Sequence, residues 1–134
     1  MNDDAFLAAL ESCRLSPSDF NHEAHVRAGY LYLRRFEFTE ALAAMRRAIN
    51  AFAASIGKSS LYHETITTAF MILIAERLAD YPEDADWPSF LKRNADLVSG
   101  NPLRRHYSPE RLATPLARRI FLMPDRAGGT DKAA

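Results

Sequence analysis

Three of the four histidines in this chain fall in two short motifs, Phe20-Asn21-His22-Glu23-Ala24-His25 and Tyr62-His63-Glu64-Thr65-Ile66-Thr67. Neutral imidazole ligates metals and serves as a general base. His22 and His25 are three residues apart, which on a helix puts both on one face and suits joint ligation of one ion. Between Lys58 and Glu76 the only formal charge is Glu64. A carboxylate in so apolar a stretch must find a cation, a strong donor or a proton.

The chemistry these residues predict is a mononuclear metal site. His22, His25 and His63 would be ligands, and Glu64 a fourth ligand or general base, with His63 and Glu64 the catalytic pair. Zinc, iron, manganese or nickel would suit three nitrogens with or without the carboxylate, leaving a position for water or substrate. The spacing is not the His-Glu-x-x-His of zincins. The long helices also offer too few inward Asp or Glu for a dinuclear site. Tyr62 and Thr67 are candidate substrate contacts. Arg105 and His106, in the basic loop Leu103-Arg104-Arg105-His106-Tyr107, are placed to close the pocket on an anion, unless that loop simply pairs with the acidic 82–86 segment.

The expected function is therefore a small metal-dependent enzyme of hydrolase or lyase type, acting on a small anionic molecule. No organic cofactor is indicated. Two alternatives stand beside it: a non-catalytic helical interaction module whose His/Glu cluster is structural, and a metal-free binding pocket for an anionic metabolite.

These residues need helices to bring them together, and helical spacing dominates the chain while strand alternation is rare. The expected helices run from Asp4 to Cys13, Phe20 to Arg35, Glu40 to Ser55, Leu61 to Ala79, Trp87 to Val98, Ser108 to Ala113 and Thr114 to Leu122. Ser18 or Asp19 would cap the second, Gly57 would close the third, and Asp86 would cap the fifth. On a helical wheel the second helix turns His22, His25, Gly29 and Tyr32 away from Glu23, Arg27 and Arg34. The fourth is apolar on nearly every side and is expected at the centre. Gly29, Tyr32, Ala41, Met45 and Ala48 resemble one tetratricopeptide unit, but no second copy follows; small residues there let two helices pack as an antiparallel hairpin.

The fold expected is all-α, a single-domain bundle of about six helices over residues 1–124, with a disordered tail over 125–134. Seventeen basic and seventeen acidic side chains cancel, which argues against nucleic acid or a membrane surface as partner. The hydrophobic fraction of 48% fits a chain with a real core, and no uncharged stretch is long enough to span a bilayer. Cys13 is the single cysteine, which suits a reducing compartment, and the acidic start Met1-Asn2-Asp3-Asp4 is unlike a secretion signal. The expected location is the cytoplasm. A small-molecule ligand is the expected partner, and the sequence carries no signal for an oligomeric state.

The pattern Phe20-x-His22-x-x-His25-Val26-Arg27, Tyr62-His63-Glu64-Thr65-x-Thr67, Tyr107-Ser108-Pro109-Glu110-x-Leu112 and Ala117-Arg118-x-x-Phe121-x-x-Pro124-Asp125 resembles a family of small bacterial all-helical proteins to which no activity is attached. The resemblance covers nearly the whole chain after Asp19. It implies a fold and brings no reaction with it. A looser similarity to DinB-type bundles, which hold a metal with three histidines, does not extend to their spacing, so no residue roles are carried over.

Overall fold

The computed structural model describes residues 1–83 and 85–127. Its helices start where a side chain can accept an N–H that the first turn leaves without a partner. Asn2 does this for α1 (Asp3–Glu11) and Asn21 for α2 (His22–Arg35). The third helix, α3 (Phe38–Ser55), follows Glu37 without a side-chain cap, and Gly57 takes a φ of +73° just past its end. His63 caps α4 (Glu64–Asp80), after a single 3-10 turn at Ser59–Leu61. Asp86 caps α5 (Trp87–Arg93), which α6 (Asp96–Ser99) follows directly. After a second 3-10 turn (Pro102–Arg105), Ser108 and Thr114 cap α7 (Pro109–Leu112) and α8 (Pro115–Arg119), each with proline in its first turn.

All regular structure among the described residues is helical, as expected, and none of these helices is long and apolar enough to cross a membrane. The described residues hold eight α-helices where about six were expected. One reason lies at Asn94, inside the stretch expected to be a single helix. Its amide donates to the Phe90 carbonyl at 2.9 Å, and Arg77 donates to its oxygen at 2.9 Å. A side chain that competes for backbone partners in this way ends α5 at Arg93, five residues short of the expected Val98.

The main core joins α1 through α6 and includes Leu10, Tyr30, Met45, Met71, Phe90 and Leu97. α2 packs against both α3 and α4, and α4 also packs against α8. A smaller cluster of Ala69, Leu103 and Tyr107 forms on another face of α4. There the chain from α7 onward is fastened by buried polar groups. Thr65 Oγ1 donates to Ile120 O at 2.8 Å and accepts from Leu122 N at 3.1 Å, while the Tyr107 hydroxyl donates to Leu122 O at 2.7 Å.

Of the segment expected as a tail, Asp125 accepts from Ser108 N and Oγ at 2.8 and 2.6 Å, and Arg126 N–H donates to His106 O at 3.0 Å. The rest of that expectation falls on residues 128–134, which lie outside the described residues, as does Asp84 in the acidic segment.

Candidate functional site

The two histidine motifs are two copies of one helix start. In each, an aromatic residue precedes the capping residue, and the fourth helical residue turns back to meet it, the arrangement of a hydrophobic staple. Phe20, Asn21 and His25 fill these places at α2; Tyr62, His63 and Thr67 fill them at α4. The caps are equivalent: Asn21 Oδ1 accepts from Ala24 N at 2.9 Å, and His63 Nδ1 accepts from Ile66 N at 3.1 Å. The His25 ring meets Phe20 edge-on at 4.0 Å, whereas Thr67 meets Tyr62 through a hydroxyl hydrogen bond.

This arrangement decides what His63 can do. Its Nε2 lies 2.8 Å from the Leu112 carbonyl, which can only accept, so Nε2 carries the proton and Nδ1 the lone pair given to Ile66. Both nitrogens of this buried ring are therefore engaged with backbone.

Glu64 has found the partners that its apolar surroundings require. Its Oε1 accepts from Tyr62 Oη at 2.7 Å and from Arg46 Nε at 2.9 Å. The Glu64 side chain is 14% exposed and that of Arg46 47%, so the pair sits at the rim of the bundle. Burial, then the Glu64 bond, pushes the Tyr62 phenol up to about 12. Arg46 had no role in the sequence reading. The signal for it was a basic residue directly after Met45, on the helix that must cover the start of α4.

His22 and His25 share a wall of a cavity of about 70 Å³ between α2, α3 and α4. Met45 from α3 and Thr67, Phe70 and Met71 from α4 also line it. His22, the first residue of α2, is exposed where the wheel turned it inward; its ring lies edge-on to Phe70 at 5.2 Å, and Nε2 donates to Leu97 O at 2.9 Å. His25 is half-buried and makes no hydrogen bond with any described residue. Burial, and secondarily the nearby His22, lowers its pKa to about 4, so the ring is neutral at physiological pH.

Thus the structure brings together His22, His25 and Thr67, and links Tyr62, Glu64 and Arg46 to them through the Thr67 hydroxyl. His63 stands apart, at the seam between α4 and α7. Arg105 and His106 line a different depression, with Arg77 and Asp96. No group of three or more His, Cys, Asp or Glu side chains placed to hold a metal ion occurs among the described residues. Comparison with known protein families, curated proteins and solved structures finds no match to this chain.

Proposed function

We propose that this chain is a non-catalytic helical binding module whose ligand enters the cavity between α2, α3 and α4. The scaffold we assign to it is α2 and α3 as an antiparallel hairpin, with α4 as the central apolar helix along it, in a cytoplasmic protein. In this reading His63 and Glu64 are structural: one caps α4 and ties it to α7, and the other holds Arg46 and Tyr62.

One observation carries the reading. The His25 ring is neutral, has no hydrogen-bond partner, and stands on the wall of an otherwise largely apolar cavity. A ring nitrogen left without a protein partner on such a wall is a specific contact for a guest that brings its own donor or an empty orbital. The cavity is roughly half the ~150 Å³ that admits benzene in an engineered protein core, so the guest has only a few heavy atoms.

A metal-dependent hydrolase or lyase is the second reading, favoured by the placement of His22 and His25 one turn apart on the same wall. It requires Glu64 to leave Arg46. NMR of the ring nitrogens during titration with methanol, ethanol and divalent metal salts tests both. Saturable movement of the His25 signals, lost in His25→Leu, is the result expected. Unmoved signals under every addition would refute the cavity as a ligand site, and turnover abolished by Glu64→Gln would favour the enzyme.

A further inference from the structure

The donor atoms around the cavity select one kind of guest. Four lining side chains carry lone pairs suited to a metal: His22 and His25 on α2, Met45 on α3 and Met71 on α4. Both methionines are buried. Met71 Sδ is drawn onto α2 itself. It lies 3.0 Å from where a Cβ on Gly29 would stand, one turn beyond His25 on the same face. The missing side chain at Gly29 is what lets the sulfur approach so closely. On the histidines, the Leu97 carbonyl takes the Nε2 hydrogen of His22 and leaves Nδ1 as that ring's lone pair, while neither nitrogen of His25 is bound.

Charge then narrows the metal. No acidic, basic or thiol side chain lines the cavity. Glu64, at the start of α4, is neutralised by Arg46. A cation entering would meet only neutral donors in apolar surroundings. Its desolvation cost rises with the square of its charge, so a divalent ion is opposed about four times as strongly as a monovalent one. Thioether donors, together with imidazole, favour the soft monovalent ion of copper.

We propose that the cavity is a copper(I) site, with His22, His25, Met45 and Met71 as its ligands. This rests on the cavity being the ligand site, and it departs from the sequence expectation in ligand set and in metal. Zinc, iron, manganese and nickel would want a third nitrogen or a carboxylate, and this wall supplies neither.

The test is an anaerobic titration of the full chain with copper(I) against the competing chelator bicinchoninate. The expected result is one copper ion withdrawn per chain. X-ray absorption of that complex should show both sulfur and nitrogen scatterers. Met45→Leu with Met71→Leu, which conserves core volume, should weaken binding at least tenfold, and Zn(II) should fail to displace the copper. Copper left wholly with the chelator, a shell without sulfur, undiminished affinity in the leucine variant, or displacement by Zn(II) would each overturn the proposal. If copper fails but methanol or ethanol still moves the His25 signals, the binding-module reading survives and only the copper assignment falls. If neither binds, both fall.

Discussion

His63 Nε2 donates to the carbonyl of Leu112 at 2.8 Å, so the residue that caps α4 also holds the last residue of α7. The opposite ring nitrogen accepts from Ile66 N, and the two bonds fix one tautomer. His63→Ala removes both and should cost about 2 kcal/mol, roughly half from the cap and half from the long-range bond. Asparagine caps helices well but is too short to reach Leu112. His63→Asn should therefore recover about 1 kcal/mol. Urea unfolding of the two variants checks this. Equal losses would mean that the cap contributes nothing, and amide exchange at Ile66 would then be unchanged in His63→Ala.

The Arg46–Glu64 pair makes a separate prediction. Because the Arg46 side chain is 47% exposed, screening limits the interaction. A double-mutant cycle with Arg46→Met and Glu64→Gln should give a coupling of only about 0.5–1 kcal/mol, shrinking as salt is added. Tyr62→Phe deletes a donor to the same carboxylate and should cost about 1 kcal/mol. Neither Glu64→Gln nor Tyr62→Phe should change guest binding at the cavity by more than about twofold, since both leave the His25 wall intact. A loss of binding comparable to that of His25→Leu would return Glu64 to the site.

Much of this was legible in the chain. The all-helical class follows from apolar spacing, and Asp86, Ser108 and Thr114 were readable as starts of helices. The need of Glu64 for a partner followed from its isolation among apolar residues, although Arg46 itself did not, because which face of α3 meets α4 depends on packing. The two histidine motifs were read as a shared cluster for a physical reason that misleads. Helix starts attract polar side chains to satisfy their own amides, so His63 looked like a ligand when its lone pair belongs to Ile66. The wheel also turned His22 inward, but a residue in the first position of a helix is flanked on one side only and remains exposed. The methionines carried no sequence signal beyond ordinary core spacing; Met71 gains its place only through its contact with Gly29.

Thr65 is fully buried, and its hydroxyl bridges two backbone groups of the C-terminal segment, Ile120 O at 2.8 Å and Leu122 N at 3.1 Å. Valine has nearly the same shape and neither hydrogen bond. Thr65→Val should leave a buried carbonyl and amide unpaired at a cost of about 2–3 kcal/mol, well beyond the loss of one ordinary hydrogen bond. The segment from α7 onward should also become more sensitive to protease than the remainder. A loss below about 0.5 kcal/mol would show that water replaces the hydroxyl.

His25 makes the stability of the metal-free chain depend on pH. Its pKa falls from 6.5 to about 4 in the folded state, first through burial and then through His22. Between those values the unfolded chain takes up a proton that the folded chain refuses. The unfolded state therefore gains ground as pH falls, and stability present above pH 6.5 is lost on the way to about 4. Asp86, Asp96 and Asp125, each held below the usual carboxylate range by its hydrogen bonds, add acid sensitivity of their own at the lower end. The informative window is thus about pH 6.5 to 5, where a single shifted imidazole should remove about 2 kcal/mol. Urea midpoints across this window should fall steeply in the parent chain and much less in His25→Phe, which keeps an aromatic ring against Phe20 but cannot titrate. Because His22 is the titratable neighbour, His22→Gln should keep most of the slope. Parallel curves for the parent and His25→Phe would show that the ring is protonated in the folded chain, and with that the neutral donor on which the cavity reading depends would be lost.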